Sequence, residues 1–250
     1  ITKELTGKVD FTIEFTEYAG HAAELVRENL NKYDFFVAVG GDGTVNEVAS
    51  SLQNTKGILG IIPLGSGNGL ARHLNIPLNS GKAIRVLIEQ FRIDTIDSCQ
   101  VNKRPYFMTA GIGFEAEIAR VFSNENGRGK FTYLKSILKT LTYFSETSYI
   151  LEVDGEPKTV TAFTISIANS SQYGNNTFIN PLSDVKDGVF EVCILRRVPW
   201  YKSLGVILRF FSKTLHKSNL YTVFNAKKVI VKSSNTVYHY DGDYAKNVDQ

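Results

Sequence analysis

Two short glycine-rich segments carry residue types that bind phosphate. The first, residues 40–44, reads Gly-Gly-Asp-Gly-Thr, and the second, residues 65–69, reads Gly-Ser-Gly-Asn-Gly. Glycines let backbone N–H groups approach a ligand closely, and a helix that follows such a loop presents its positive N-terminal end to the same point. With the Asp42 carboxylate and the hydroxyls of Thr44 and Ser66 beside them, the two loops predict a phosphate site.

The elements that must position these loops are visible on either side of each one. Apolar runs at residues 35–39 and 60–64 precede the loops, and helical patterns follow them. A continuous apolar run is typical of a strand buried on both faces of a parallel sheet. Neighbouring parallel strands place such loops side by side at one sheet edge, where open α/β folds bind ligands. The spacing matches neither a P-loop nor a dinucleotide-binding G-x-G-x-x-G.

The remaining elements predict two domains, residues 1–95 and 96–250. In the first, a strand over residues 9–15, a helix over residues 19–30 and a helix over residues 80–91 surround the two strand–loop–helix units. This alternation predicts a parallel sheet. We place the domain boundary near residues 94–97.

The second domain is predicted to be mainly antiparallel. Turn signals such as Asp154-Gly155 and Asp187-Gly188 separate short apolar runs. One helix is predicted in this domain, with Phe131, Leu134, Leu138 and Leu141 on one face. The strand runs are residues 149–153, 161–167, 189–195 and 228–232.

Two further carboxylate pairs lie at turns. Asp241-Gly242-Asp243 follows an alternating run over residues 237–240, and Asp184 and Asp187 lie just before a strand. As bare sequence, each pair reads equally well as an ordinary turn. The four histidines show no metal-ligand spacing, although His239 shares a strand face with Asp241 and could support it by a hydrogen bond.

Charge is distributed unevenly along the chain. Residues 192–240 contain nine Lys or Arg and no Asp or Glu, although the whole chain has a net charge of only +3. Aromatic residues and an apolar helical pattern over residues 204–211 accompany these cations, a combination that suits anionic lipid headgroups. A solvated basic surface is the alternative, and no nucleic-acid recognition motif is present. Two cysteines, of which Cys193 suits a buried strand, fit a reducing cytoplasm, and no apolar run reaches the ~18 residues of a membrane-spanning helix.

The motifs resemble those of the soluble diacylglycerol kinase catalytic domain family, which includes bacterial lipid kinases and the sphingosine and ceramide kinases. The resemblance rests on residues 40–47 and 63–68 and on later segments in the same order: residues 111–116, 184–188 and 241–243. It covers nearly the whole chain. Relatives usually also carry an earlier strand with an Asn-Pro-x-Ser-Gly loop and a closing strand after their Asp-Gly-Glu motif, and neither is evident in residues 1–250.

The resemblance implies ATP and Mg²⁺ as cofactors and assigns roles to individual residues. Asp243 would be the proton acceptor, Glu115 its partner, and Asp42 a carboxylate beside catalytic Mg²⁺. A structural Mg²⁺ would be held by the Asp187 side chain and the carbonyls of Asp184 and Val189. The nucleotide-binding residues would be Thr16, Gly40, Gly41, Asp42, Gly43, Thr44, Val45, Asn46, Gly65, Ser66, Gly67 and Asn68.

Two of these positions depart from the family pattern. Relatives usually have Glu where this chain has Asp243 and Asp where it has Glu115, which suggests a long-for-short exchange that keeps two carboxylates near one hydroxyl. Thr16 could instead be a strand-end or helix-capping residue.

The sequence-based hypothesis is therefore a lipid kinase. An α/β nucleotide-binding domain would precede an antiparallel lipid-binding domain, with the active site in the cleft between them. The expected partners are a membrane lipid and an anionic membrane surface, on the cytoplasmic side, with a homodimer possible and no nucleic acid. An NAD kinase, which shares Gly-Gly-Asp-Gly, and a non-catalytic nucleotide- or lipid-binding protein are the alternatives.

Overall fold

A computed structural model describes residues 2–125, 130–233 and 236–246. The chain forms two compact units, Ile1–Ile96 and Asp97–Gln250. Among the described residues, no helix combines the length and apolar character needed to cross a membrane. Both cysteines are free thiols, and Cys193 is buried, as the sequence predicts.

The first unit is built around a parallel strand pair. Its elements are α1 (Thr2–Leu5), α2 (His21–Asn29), β1 (Phe35–Gly40), α3 (Asp42–Leu52), β2 (Ile58–Pro63), α4 (Gly69–His73) and α5 (Ser80–Glu89). Strands β1 and β2 pair in parallel, from Phe35 opposite Ile58 to Gly40 opposite Pro63. Each strand therefore ends at its glycine loop on the same sheet edge, and the prediction of a parallel α/β unit is confirmed.

The predicted strand over residues 9–15 does not form in this unit. These residues join no sheet of the described chain, and Val9, Phe11, Ile13 and Phe15 are exposed. A strand requires a hydrogen-bonded neighbour as well as alternating side chains. The prediction of a strand from the alternation alone was therefore wrong.

Among the described residues, the second unit contains four antiparallel sheets, two of them only two-stranded, and three α-helices. The strands are β3 (Cys99–Val101), β4 (Arg104–Tyr106), β5 (Thr109–Gly113), β6 (Thr147–Val153), β7 (Glu156–Ala162), β8 (Thr164–Ala168), β9 (Gln172–Gly174), β10 (Thr177–Phe178), β11 (Phe190–Leu195), β12 (Tyr221–Ala226), β13 (Val229–Lys232), β14 (Val237–Tyr240) and β15 (Asp243–Lys246). The largest sheet has the strand order β12-β11-β8-β5-β14-β15, and a smaller one has the order β13-β6-β7. The helices are α6 (Phe114–Ser123), α7 (Lys130–Leu141) and α8 (Ser203–Phe211).

A core of this unit lies between the six-stranded and the three-stranded sheet. Tyr149 and Leu151 of β6 pack with Ile165, Val192 and Ile194 of the larger sheet. Alternating inward side chains from two antiparallel sheets give a sandwich core, so the mainly antiparallel second unit is confirmed.

Two local predictions for the second unit are wrong. The single predicted run over residues 161–167 covers the end of β7 and most of β8, and these strands belong to different sheets. Helix α6 was not predicted, whereas the apolar helical pattern over residues 204–211 corresponds to α8. Both errors concern apolar stretches whose partners are distant in sequence, where local pattern does not separate one strand from two.

Candidate active site

The two glycine loops pack backbone against backbone. The Leu64 amide donates to the carbonyl of Gly40 at 2.8 Å, at the ends of the paired strands. A Cβ atom added to Gly65 would lie 2.5 Å from the Cα of Gly41. No side chain fits in that space, so glycine is required here for contact between the loops, independently of any ligand.

Asp42 ties the loops together. Its Oδ2 accepts from the Asn68 amide at 2.9 Å and its Oδ1 from the Gly69 amide at 2.7 Å. Burial raises the pKa of this carboxyl, and these N–H bonds oppose the rise. Backbone hydrogen bonds from Asp42 itself and from Leu70 also lower the pKa of this carboxyl, so the start of α3 and the second loop both bond to it. Mg²⁺ prefers oxygen ligands, and the Asp42 carboxylate is of that type.

The other predicted nucleotide-binding residues of the loops lie around this contact. Asn68 has a left-handed backbone, with φ of 51°, and its side-chain amide donates to the carbonyl of Gly65 at 2.7 Å. Its Oδ1 is buried and has no partner among the described residues. Thr44 packs under Gly40, and Ser66 is exposed. The structure thus brings residues 40–46 and 65–68 together.

Thr16 and Glu47 both concern the start of α2. Thr16 is exposed on the segment before α2, and Gly20 caps that helix, so Thr16 is not its cap. Glu47 accepts from the amides of Gly20 and Ala22 at 2.8 and 3.1 Å. Its carboxylate therefore satisfies donors at the start of α2, a role that the sequence did not reveal.

In the second unit, the carboxylate of Glu115 is enclosed by hydrogen-bonding groups. Its Oε2 lies 3.1 Å from Nε2 of His239, and Tyr173 donates to Oε1 at 2.6 Å. The Ser166 hydroxyl lies 2.8 and 2.7 Å from the two oxygens. Sequence analysis suggested His239 as support for Asp241 and missed Ser166 and Tyr173.

Sheet register explains how this site forms. Gly111 of β5 lies opposite Ser166 of β8 on one side and opposite His239 of β14 on the other. Residues paired across antiparallel strands share a face, so these three positions form a row. A Cβ on Gly111 would lie 2.5 Å from the Ile165 carbonyl oxygen and 3.0 Å from Nε2 of His239. The glycine is therefore required by the close approach of the β8 backbone and of the His239 ring.

This environment keeps Glu115 ionised. Burial acts to raise the pKa of Glu115, but the bonds and charge of His239, together with Tyr173 and Ser166, outweigh it and lower that pKa. Burial and the adjacent carboxylate raise the pKa of Tyr173 well above its ordinary range. The arrangement can hold a fixed negative charge.

The Asp241-Gly242-Asp243 motif forms the turn between β14 and β15. Asp241 is buried and accepts from the amides of Phe107, Met108 and Thr109 at 2.9, 2.8 and 3.2 Å. Asp243 is exposed and lies opposite Tyr240, so the register places it on the sheet face away from His239. Asp241 is thus a structural clamp, and the roles of Asp243 and Glu115 in proton transfer stay predictions.

The predicted structural Mg²⁺ loop consists of exposed turns. Asp184 accepts from the Lys186 amide and Asp187 from the Val189 amide, each at 3.1 Å. Asp97 accepts from the Gly188 amide at 2.8 Å, next to them. Among the described residues, no group of three His, Cys, Asp or Glu side chains is placed to hold a metal ion. The carboxylate and carbonyl oxygens of this loop are of the type that Mg²⁺ prefers, but their arrangement does not test the site, which stays a prediction.

Comparison with protein families identifies both units. The diacylglycerol kinase catalytic domain matches residues 2–101. A domain described as the YegS C-terminal NAD kinase beta sandwich-like domain matches residues 109–249. The fold and its matched domains are those of the lipid kinases, which are phosphotransferases. More specifically, the chain belongs to the diacylglycerol kinase family, with the catalytic domain followed by the YegS-type domain.

Individual relatives agree with this assignment. A diacylglycerol kinase of Bacillus subtilis is 28% identical over 242 residues, which cover 92% of this chain and 78% of that protein. An uncharacterised Synechocystis protein is 28% identical over 87% of this chain, which spans only 53% of that relative. The crystal structure of a putative diacylglycerol kinase from Bacillus anthracis has a TM-score of 0.78 at 19% identity, covering 98% of this chain and 84% of that one. At 19% identity, the similarity to this crystal structure supports the fold alone.

Proposed function

We propose that the protein transfers the γ-phosphoryl group of ATP to a primary hydroxyl of a membrane lipid, in a reaction that depends on Mg²⁺. The observation that carries the proposal is the interlocked pair of glycine loops, in which Asp42 bonds to the backbone of the second loop. Phosphoryl transfer depends mainly on positioning and charge neutralisation, and a rigid double loop at the start of two helices supplies both.

The roles of the loop residues follow from their geometry. Backbone N–H groups of the two loops would contact the ATP phosphates, and Asn68 would direct its buried Oδ1 to a donor of the bound ligand. Asp42 would supply a carboxylate oxygen to Mg²⁺, and that ion, when bound, would neutralise charge on the phosphates.

In the second unit, Asp243 would accept the proton of the lipid hydroxyl. Its exposed position is compatible with reaching a substrate. Glu115 would act as its partner only through the field of its fixed negative charge, because Ser166, Tyr173 and His239 already occupy its oxygens and the register turns Asp243 to the face away from His239. The Asp187 side chain and the carbonyls of Asp184 and Val189 would hold the structural Mg²⁺.

We further propose that the acceptor is a diacylglycerol-type lipid, with sphingoid bases second. The Bacillus subtilis relative is named a diacylglycerol kinase, and relatives described as probable YegS-like lipid kinases support the broader class. The NAD kinase hypothesis has weaker support, because the likeness to NAD kinase lies in the description of the second domain.

The basic segment of residues 192–240 is proposed to contact an anionic membrane surface from the cytoplasmic side. Helix α8 exposes Leu204, Leu208 and Phe211, and the cations Arg196 and Arg197 precede it on the surface. Apolar side chains beside cations suit the headgroup region of anionic lipids.

A phosphate-transfer assay tests the proposal. The purified protein is incubated with γ-labelled ATP, Mg²⁺ and a lipid extract, and then with NAD in place of lipid. Label in an organic-soluble product, dependent on Mg²⁺, is the expected result. Label on NAD would establish an NAD kinase, and retained ATP binding without transfer would establish a binding protein. Asp243→Asn serves as the matched catalytic control.

A further inference from the structure

Helix α7 is oriented opposite to an ordinary surface helix. The side chains of Ser136 and Thr140 are fully buried, whereas Phe131 is 91% exposed. Leu138, Leu134 and Leu141 are 58%, 51% and 49% exposed. We call these four apolar residues the α7 stripe. A surface helix of a water-soluble domain normally buries its apolar side and exposes its polar side, so the stripe requires an explanation.

The buried side of α7 packs within its own unit, although the buried Oγ1 of Thr140 has no hydrogen-bond partner among the described residues. The helix packs on α6, and the Ser136 hydroxyl donates to the carbonyl of Thr132 at 3.0 Å. Turning the helix to bury the stripe would expose these packed residues. The stripe is therefore a feature of the folded unit, and it must either remain in water or meet another apolar phase.

The dimensions of the stripe argue against a second copy of the chain as its partner. A 12-residue helix is about 18 Å long, and one side of it is about 10 Å wide, which gives roughly 200 Å². A stable protein interface buries about 800 Å² on each partner. A bilayer has no such requirement, since each inserted side chain contributes separately.

Charges along one border of the stripe fit a lipid surface. Lys135 and Lys139 are exposed next to it, and their ammonium groups lie 3.1 and 3.8 Å from the carboxylate of Glu125. Because one carboxylate partly balances two cations, the local charge is small. Attraction to lipid would therefore come mainly from the apolar side chains, with the lysines at headgroup level.

The chain segments that leave α7 and enter α8 are joined by a hydrogen bond. The Arg197 amide donates to the carboxylate of Glu146 at 2.8 Å. Glu146 follows the end of α7 by a few residues, and Arg197 precedes α8 by a few residues. The chain segments that leave one apolar helix and enter the other are thus adjacent.

We propose that α7 lies in the interface of a lipid bilayer, with Phe131, Leu134, Leu138 and Leu141 inserted below the headgroups. This inference rests on the proposed function only in taking a bilayer as the place where the acceptor lipid lies. It differs from the contact proposed for the basic segment, because it does not require anionic lipid.

Vesicle sedimentation without nucleotide tests the proposal. The protein is mixed with vesicles of phosphatidylcholine alone and with vesicles that also contain phosphatidylglycerol. The double variant Leu134→Ser/Leu138→Ser is expected to bind both kinds of vesicle at least about tenfold more weakly than wild type, since each serine removes carbon atoms from the apolar phase. The control is Leu182→Ser, in the same unit but outside both helices and 75% exposed, which is expected to bind like wild type.

Two further measurements separate the possible outcomes. Fluorescence of Phe131→Trp, with the wild-type signal subtracted, should shift to shorter wavelength and be quenched by shallow brominated lipids. Turnover of a short-chain diacylglycerol in detergent should be unchanged in the double variant, so a failure of the kinase proposal is seen separately. Unchanged vesicle binding by the double variant, equal loss in Leu182→Ser, or a dimer that the double variant disrupts would each overturn the inference.

Discussion

Nε2 of His239 lies 3.1 Å from Oε2 of Glu115, although 124 residues separate them in the chain. Gly111 lies opposite His239 in the sheet, and a Cβ added there would lie 3.0 Å from this same Nε2. Glu115 is held as an ionised group among His239, Tyr173 and Ser166.

Glu115 should make stability depend on pH. Its pKa in the folded protein lies below the ordinary value of 4.5, so the stability that it contributes is present above pH 4.5 and is lost as the pH falls through the lower folded-state pKa. Glu115→Gln should lose about 3 kcal/mol near neutral pH, because the partners of a buried charge are left unmatched. Denaturant unfolding of both proteins from pH 7 to pH 3 measures this. A difference that stays constant over that range would contradict the assignment.

Gly111→Ala should destabilise the second unit. The added Cβ would lie 2.5 Å from a backbone oxygen, which a side-chain movement does not relieve, so we expect a loss of about 2 kcal/mol or more. Gly205→Ala is the matched control, because nothing lies within 4 Å of its added Cβ and it occupies a helix. Alanine there should be neutral or stabilise by up to about 1 kcal/mol. Thermal unfolding of both variants and of the wild type measures these differences, and equal stabilities for the two variants would contradict the prediction.

Asp42→Ala should reduce both stability and transfer. It removes the acceptor of two amides that join the loops, each worth about 1.5 kcal/mol or more when bonded to a charged group. Calorimetry gives the stability, and γ-labelled ATP gives the transfer. Asp184→Ala, which removes one bond at an exposed turn, is the stability control. An unchanged unfolding midpoint for Asp42→Ala would show that the loops are held by other contacts.

Asp243→Asn should separate catalysis from stability. A general base contributes about 10²-fold or more, so kcat should fall by that factor while KM for ATP stays within a few-fold. The unfolding midpoint should hardly change, because Asp243 is exposed at the start of β15. Asp241→Asn should instead unfold more readily, since Asp241 accepts three backbone bonds. If Asp243→Asn keeps near wild-type kcat, the base lies elsewhere.

Replacing Arg196, Arg197 and Lys202 by Gln should weaken binding to anionic vesicles by about 1 kcal/mol for each charge. These three are exposed, whereas Arg209 is partly buried and bonds to the Thr214 carbonyl. Binding to neutral vesicles should not change, and added salt should remove the difference. Equal loss on both kinds of vesicle would point to misfolding.

The sequence by itself determined those features whose signals are local. Each glycine loop lies between a strand and a helix that its own neighbours specify, so the loops and their parallel strands were predicted correctly. The turn at Asp154-Gly155 likewise joins β6 to β7. In such cases backbone preference and the nearest side chains decide the conformation.

Tertiary structure alone decided the features that depend on distant partners. Residues 9–15 have the alternation of a strand but no ladder to join, and Asp42 bonds to a loop 26 residues away. The apolar residues of α7 were assigned to one face from sequence, yet only packing showed that this face points outward. Periodicity identifies which residues share a face, whereas the neighbours that cover a face are brought there by the rest of the chain.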